Sequence, residues 1–422
     1  MHIALLVFYV SLFAFIFFKW KALYGNAWQN WQVALLFFIK TCCGFAYGYA
    51  VNVFYAPDSL VFFHYAQEIT ELAFSQPFDY LKIVFGPINH ALLEQHVSMY
   101  EDFAVWHNLG SFTMVRINAI FNLFSASHFY TNIVFWNAIS TIGIIFIWQT
   151  VHQFLNYDND IAKAFLCFSP ELLFWASGPH KEGLSLFCIG VIFWSFFNLI
   201  QNKNWKYLPA LFLSFGLLWA TRFYFLTMLI PCFIAYTIYY YKNLQTKTYW
   251  FILTGFLLIA VFCDYLLFNS YVFGKIMLMR NEFIHVLSGN TDFWLNPNVN
   301  NYLDAFLQLP VAFFNAFFRP IIWQVNSPQA IAAALAKWLM LAPIFYGLLC
   351  FKKWKINKTN PMLFISYGLL VMLVIGLIVD NSGAMVRYRS IPLSLLGLSF
   401  LILSLPNKLR LNNSVKPPSQ LH

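Results

Sequence analysis

Five short stretches of the 422-residue chain place chemically capable side chains close together. Asp58 stands in Tyr55-Ala56-Pro57-Asp58-Ser59, with His64 and Glu68 six and ten residues further on. A carboxylate fixed at the end of an apolar run is suited to take a proton from an attacking hydroxyl. Pro-Asp-Ser ahead of an apolar helix is also a good capping sequence. The second stretch runs from Ser169-Pro170-Glu171 through Trp175-Ala176-Ser177-Gly178-Pro179 to His180-Lys181-Glu182. A bare hairpin turn asks for Gly, Asn or Ser, not for three titratable residues. Lys181 suits a phosphate as a point charge, and Glu182 suits Lys181 or a metal. A solvated turn with Glu182 at the next helix start is the plainer alternative. Arg222 interrupts two apolar runs, either at the outer apex of a hairpin or inside a long bent helix. An arginine at membrane depth is costly unless paired. Arg387 and Arg389, in Val386-Arg387-Tyr388-Arg389, suit forked recognition of an anion or anchoring to headgroups, and Arg319 is a weaker member of this set.

The elements that must hold these groups are set by composition. The chain is 60% apolar, 21% aromatic and 10% charged, with fifty Phe and a mean hydropathy of +0.64. Soluble domains carry about 25% charged residues. Repeated long apolar stretches therefore read as membrane spans. The expectation is an all-α polytopic membrane protein with about eleven transmembrane helices, in a range of ten to thirteen, forming one integral domain over 1–422. The spans fall near 3–18, 33–55, 131–151, 164–176, 184–200, 207–220, 223–241, 249–268, 329–351, 361–380 and 391–405. The first lacks a basic leader and a small-residue cleavage site, so it reads as a retained anchor. The seven cysteines all fall in spans or at an inner end, which implies no disulfide framework.

With the N-terminus outside, the inner segments hold fourteen basic residues against two acidic ones, Asp158 and Asp160. Acidic residues outnumber basic ones in the outer segments. This sorting fits the positive-inside rule and explains the +9 net charge without a nucleic-acid partner. Two outer loops, 56–130 and 269–328, are too long to be connectors. The first contains amphipathic stretches at Leu60–Phe74 and Phe112–Phe124, the latter interrupted by Arg116, Asn118 and Asn122 and expected to lean on the membrane surface instead of crossing it. The second contains an apolar segment broken at Leu309-Pro310 and Phe318-Arg319-Pro320, and residues 406–422 read as an inner tail.

Glu94, His96, Glu101, Asp102 and His107 are dense enough to raise a metal, but no spacing matches a standard ligand pattern. The expectation is no metal and no cofactor, a divalent ion being unsupported. Lys40, Asp264 and Lys337 fall inside spans with no partner legible in the sequence. No P-loop, Rossmann fingerprint, nucleophile elbow or zincin motif occurs. One carboxylate and several cations on the outer side fit a reaction on a lipid-linked phosphate compound, by hydroxyl attack and without ATP.

These residues resemble the GT-C superfamily of polytopic glycosyltransferases, which includes protein O-mannosyltransferases and the aminoarabinose transferase of lipid A. Pro57-Asp58-Ser59 followed by His64-Tyr65-Ala66 is similar to the acidic site of that family's first outer loop. Ser169 to Gly178 with Lys181-Glu182 resembles a proline–tryptophan–serine–glycine–lysine–glutamate segment of its bacterial members, and Arg387-Tyr388-Arg389 with Pro392 resembles an arginine–proline helix entry. The resemblance implies Asp58 as general base, with His64, His180, Lys181, Glu182, Arg222, Arg387 and Arg389 at the substrate. It also implies a polyprenyl-phosphate-linked sugar as donor, an acceptor of unspecified class, inversion, and a bacterial inner membrane with the site facing the periplasm. The chain departs from the better-known members by a single Asp where many carry an acidic pair. It also departs by an additional N-terminal span and by the lack of a large C-terminal soluble domain. The competing readings are a glycan polymerase or ligase of the O-antigen kind, resting on Arg222, Arg387 and Arg389, a transporter or flippase of lipid-linked precursors, and a structural subunit of an envelope assembly.

Overall fold

The computed structural model describes residues 1–54, 58–97, 108–285, 291–324, 327–350 and 361–407. Glu101, Asp102 and His107 of the raised metal cluster lie outside them, as does most of the inner tail. Among the described residues the regular structure is helical, with a single isolated antiparallel bridge between Asp292 and Asn381. In chain order the helices are α1 His2–Lys19, α2 Lys21–Tyr24, α3 Asn30–Phe54, α4 Asp58–Ser75, α5 Pro77–Phe85, α6 His90–His96, α7 Leu109–Ser125 and α8 Phe129–Gln153. They continue as α9 Asp160–Phe168, α10 Pro170–Trp175, α11 Lys181–Asn202, α12 Leu208–Lys242, α13 Thr246–Leu267 and α14 Tyr271–His285. The last are α15 Tyr302–Leu307, α16 Leu309–Phe318, α17 Pro328–Leu349, α18 Met362–Ile378 and α19 Ser382–Ser404.

Eight of these are long and apolar enough to cross a membrane: α1, α3, α8, α11, α12, α13, α17 and α19. The protein is thus an all-α integral membrane protein. The difference from eleven expected runs has local causes. The run at 164–176 is cut where the Ser169 hydroxyl bonds back to the Phe165 carbonyl (2.6 Å) and Pro170 starts a new helix without an N–H to give. The runs at 207–220 and 223–241 join in α12, interrupted only at Arg222, whose φ −146° and ψ 68° are not helical. Arg222 thus marks a kink between two helical halves. The 361–380 run is the shorter apolar helix α18.

The chain divides into two compact units, Met1–Thr150 with Leu173–Phe223, and Val151–Leu172 with Tyr224–His422. In the first, α1 and α3 are joined through Phe13 and Phe17 against Phe37, and Phe135 of α8 meets Phe13. Helices α8 and α11 cross with their backbones almost touching. A Cβ on Gly190 would stand 2.3 Å from the Gly143 carbonyl oxygen, so only small residues allow this crossing. The amphipathic stretches expected at 60–74 and 112–124 are helical, as α4 and α7. These pack together with a Thr70 hydroxyl bond to the Ala119 carbonyl (3.2 Å).

In the second unit α19 is the hub, packed on α17, α18 and α9. Of the three charges inside apolar runs left without partners by the sequence, Asp264 and Lys337 close helix ends here. Asp264 accepts from the Val272 and Phe273 N–H groups (3.0 Å each) at the start of α14, and from the Tyr302 hydroxyl. Lys337 donates to the Phe318 and Pro320 carbonyls (2.6 and 2.8 Å) at the end of α16. Each charge sits at the helix terminus of opposite partial charge.

Asp380, just ahead of α19, is buried, and its Oδ1 has no hydrogen-bond partner. Burial, and then the neighbouring Asp292, raise its carboxyl above the usual carboxylate range, against the pull of Arg280. A raised carboxyl favours the folded state below its unfolded pKa and loses that contribution as pH rises through the folded value. The isosteric Asp380→Asn should therefore raise the unfolding temperature at pH 7. The gain should fade as pH falls toward about 4, the ordinary Asp range. An unchanged or lower midpoint at pH 7 would contradict this sign.

Candidate functional site

The site builds up from the segment between α10 and α11. Lys40, wholly buried on α3, donates to the Ala176 carbonyl (3.2 Å) and the Ser177 hydroxyl (3.1 Å). Asn137 of α8 donates to the Ser177 carbonyl at 2.8 Å. Next along, Gly178 lies against the Tyr47 ring so closely that a Cβ would stand 2.5 Å from it, which leaves room for glycine alone. These contacts deliver His180 onto the same ring, with centroids 4.7 Å apart. The hydroxyl of buried Tyr47 shares a 2.8 Å hydrogen bond with Ser59, the residue after Asp58. One tyrosine thus ties the start of α4, where Asp58 is exposed, to the turn from which Lys181 and Glu182 open α11.

Lys181 reaches the start of a third helix. Its ammonium donates to the Ser111 hydroxyl (3.0 Å) and lies 3.5 Å from the Asn108 side-chain oxygen, which itself caps α7 through the Gly110 and Ser111 N–H groups. The Phe62 ring of α4 lies 5.8 Å from the same ammonium. Both acceptors are neutral side chains that fix the position of the ammonium. His180 gives α11 no side-chain cap, and the positive end of that helix faces the turn. Glu182 turns inward and forms a buried ion pair with Arg222. The pairing partner of Glu182 is thus Arg222, and the arginine's cost at membrane depth is offset by it.

The turn is recessed. Asn137 lies eight residues into α8, and Tyr47 seven residues before the end of α3. At 1.5 Å per residue that is roughly 10–12 Å from those helix ends. Lys181 and Glu182 stand at a span end, as the sequence suggests, since they open the candidate span α11, while Ser177 before them meets α8 well inside that helix. His64 shares the unit but is exposed, with Nδ1 3.2 Å from the Gln67 side-chain oxygen.

Arg387 and Arg389 belong to the second unit. Arg389 is fully buried and holds Glu171 with both arms of its fork, Nε at 3.0 Å from one oxygen and Nη2 on the other. Its Nη1 donates to the Ala316 (3.3 Å) and Arg319 carbonyls. The expected anion for this arginine is supplied by the protein itself. Arg387 is half-buried, with Nη2 donating to the Tyr388 hydroxyl at 3.2 Å.

Sequence reasoning did not single out Tyr47, Asn108, Ser111 or Glu171 as parts of these arrangements. Asn-x-Gly-Ser ahead of an apolar helix is a readable cap signal for Asn108. The Tyr47 contact is between residues far apart in the chain and leaves no local signal. Among the described residues no group of three or more His, Cys, Asp or Glu is arranged to hold a metal, and His96 lies 3.6 Å from the Asp79 carboxylate. Comparison with protein-family models, curated proteins and solved structures finds no match.

Proposed function

We propose that this chain is a membrane glycosyltransferase that moves a sugar from a polyprenyl-phosphate-linked donor to an acceptor hydroxyl on the outer face of the membrane. In this reading the apolar helices cross a bacterial inner membrane, and the side that carries Asp58 and Lys181 faces the periplasm. Asp58 takes the proton of the acceptor hydroxyl. The freed oxygen attacks the anomeric carbon from the face opposite the phosphate, the carbon–oxygen bond to phosphate breaks, and polyprenyl phosphate leaves with the electron pair. The sugar is transferred with inversion. Lys181 and the start of α11 face the charge that grows on the leaving phosphate, His180 and His64 border the substrate, and the Glu182–Arg222 pair holds the turn.

One observation carries the reading. A carboxylate at one helix start and an ammonium at another are tied together by Tyr47 through Ser59 and His180, beside the candidate spans α3 and α11. A base and a phosphate-binding cation at fixed separation are what a displacement at a carbon between them requires. Arg389, committed to Glu171, takes no part, which sets this reading apart from a polymerase or ligase resting on the C-terminal arginines.

The test uses purified protein in lipid vesicles with a panel of polyprenyl-phosphate sugars and an envelope extract as acceptor source. Wild type should release polyprenyl phosphate. Lys181→Met should lower kcat/KM by about ten- to a hundredfold, the worth of one charge-assisted hydrogen bond of about 1.5–3 kcal/mol. Release by neither protein from any donor would sink the proposal.

A further inference from the structure

Helix α5 is apolar on two opposite faces. Tyr80, Ile83 and Val84 are buried, and the Tyr80 hydroxyl reaches the Ala119 carbonyl of α7 at 3.4 Å. The other face carries Phe78 (79% exposed), Leu81 (50%) and Phe85 (70%), at i, i+3 and i+7, a single stripe on a helix. Phe74, at the end of α4, is 82% exposed beside them. Water does not favour such a stripe, and soluble surfaces of this kind mark an interaction site.

The depth of α5 is fixed by α7. Arg116 of α7 donates to the Ile83 and Gly86 carbonyls (2.9 and 2.6 Å) and so pins the end of α5. Two turns further along α7, Phe121 packs on Phe135 and Trp136 of the spanning helix α8, and the Phe124 carbonyl accepts from the Tyr9 hydroxyl of the spanning helix α1 (3.1 Å). Phe135 and Tyr9 lie six and seven residues into their helices, roughly 10 Å at 1.5 Å per residue. Helix α7 therefore lies along the rim of the spans, and α5 is carried beside it. Ahead of its last turn, which carries Phe74, the exposed positions of α4 are polar, with His64 and Glu71. Lys82, 66% exposed and bonded to Asp79 at 2.8 Å, flanks the stripe as a cation suited to a phosphate headgroup.

We propose that the Phe78–Leu81–Phe85 face of α5 inserts into the lipid headgroup layer, making the lipid surface the partner of this helix. The lipid contact falls on α5, next to α7, the stretch that the sequence suggests as membrane-leaning. This inference does not depend on the transferase reading.

The test places benzoylphenylalanine in the full-length protein, in vesicles of phosphatidylethanolamine and phosphatidylglycerol. The positions are Phe78, Phe85, Glu71 on the polar face of α4, and Phe262 on the spanning helix α13 as lipid-facing reference. After irradiation, Phe78→benzoylphenylalanine and Phe85→benzoylphenylalanine should yield phospholipid adducts comparable to those at Phe262, with none at Glu71. Adducts at Phe78 and Phe85 only to a second copy of the chain would overturn the proposal. So would no adduct there while Phe262 reacts with lipid.

Discussion

Glu171→Gln is expected to destabilise the second unit by about 3–5 kcal/mol, the range found when one partner of a buried ion pair is removed. The guanidinium of Arg389 is wholly buried, and Glu171 takes both its Nε and one Nη. The Ala316 and Arg319 carbonyls receive the remaining arm but carry no neutralising charge. The amide of Gln keeps one hydrogen bond at most and loses the charge, so the cation is left in an apolar surround. Arg389→Met alone strands the carboxylate in the same way. The double change Glu171→Met with Arg389→Met removes both charges, and it should be milder than either single change because no lone ion remains. Thermal unfolding in detergent of the three variants measures this. Single losses no larger than the double loss would show that the pair is not the lock described here.

The membrane class was legible in composition, because fifty Phe and 10% charge have no soluble solution. The amphipathic stretches of the first loop also emerged as helices, since their period is a local property. The exact helix division was not legible. Hydropathy treats Ser169-Pro170 and Arg222 as breaks of equal rank, yet the first ends a helix through a lost N–H and a hydroxyl back-bond. The second survives inside α12 because Glu182 neutralises it. That partner lies forty residues away, and no window over the sequence contains it. Arg389 teaches the same lesson from the other side. An arginine pair at a helix start suggests an external anion, but Glu171, 218 residues distant, already occupies the fork. Asp58, His180 and Lys181 could be named from their neighbours in the chain. Their convergence depends on Tyr47 and Lys40, whose contacts are set by helix packing alone.

Asp58→Asn is the second change with a large expected effect. Asn is nearly isosteric with Asp and Asp58 is exposed at the helix start, so the unfolding temperature reads any change in the fold separately from the change in rate. Asn cannot take a proton from the acceptor. Loss of a general base costs on the order of a hundredfold to ten-thousandfold in rate. The effect should fall on kcat, with donor binding kept, whereas Lys181→Met should weaken donor binding and kcat/KM. The two variants thus separate base from phosphate contact within one assay.

The most direct measurement is release of polyprenyl phosphate by wild type and Asp58→Asn protein in lipid, with matched unfolding temperatures and donor binding. The account predicts turnover in the wild type and a fall of at least about a hundredfold in the variant. Wild-type turnover that survives the change would contradict the assignment of Asp58 as the base.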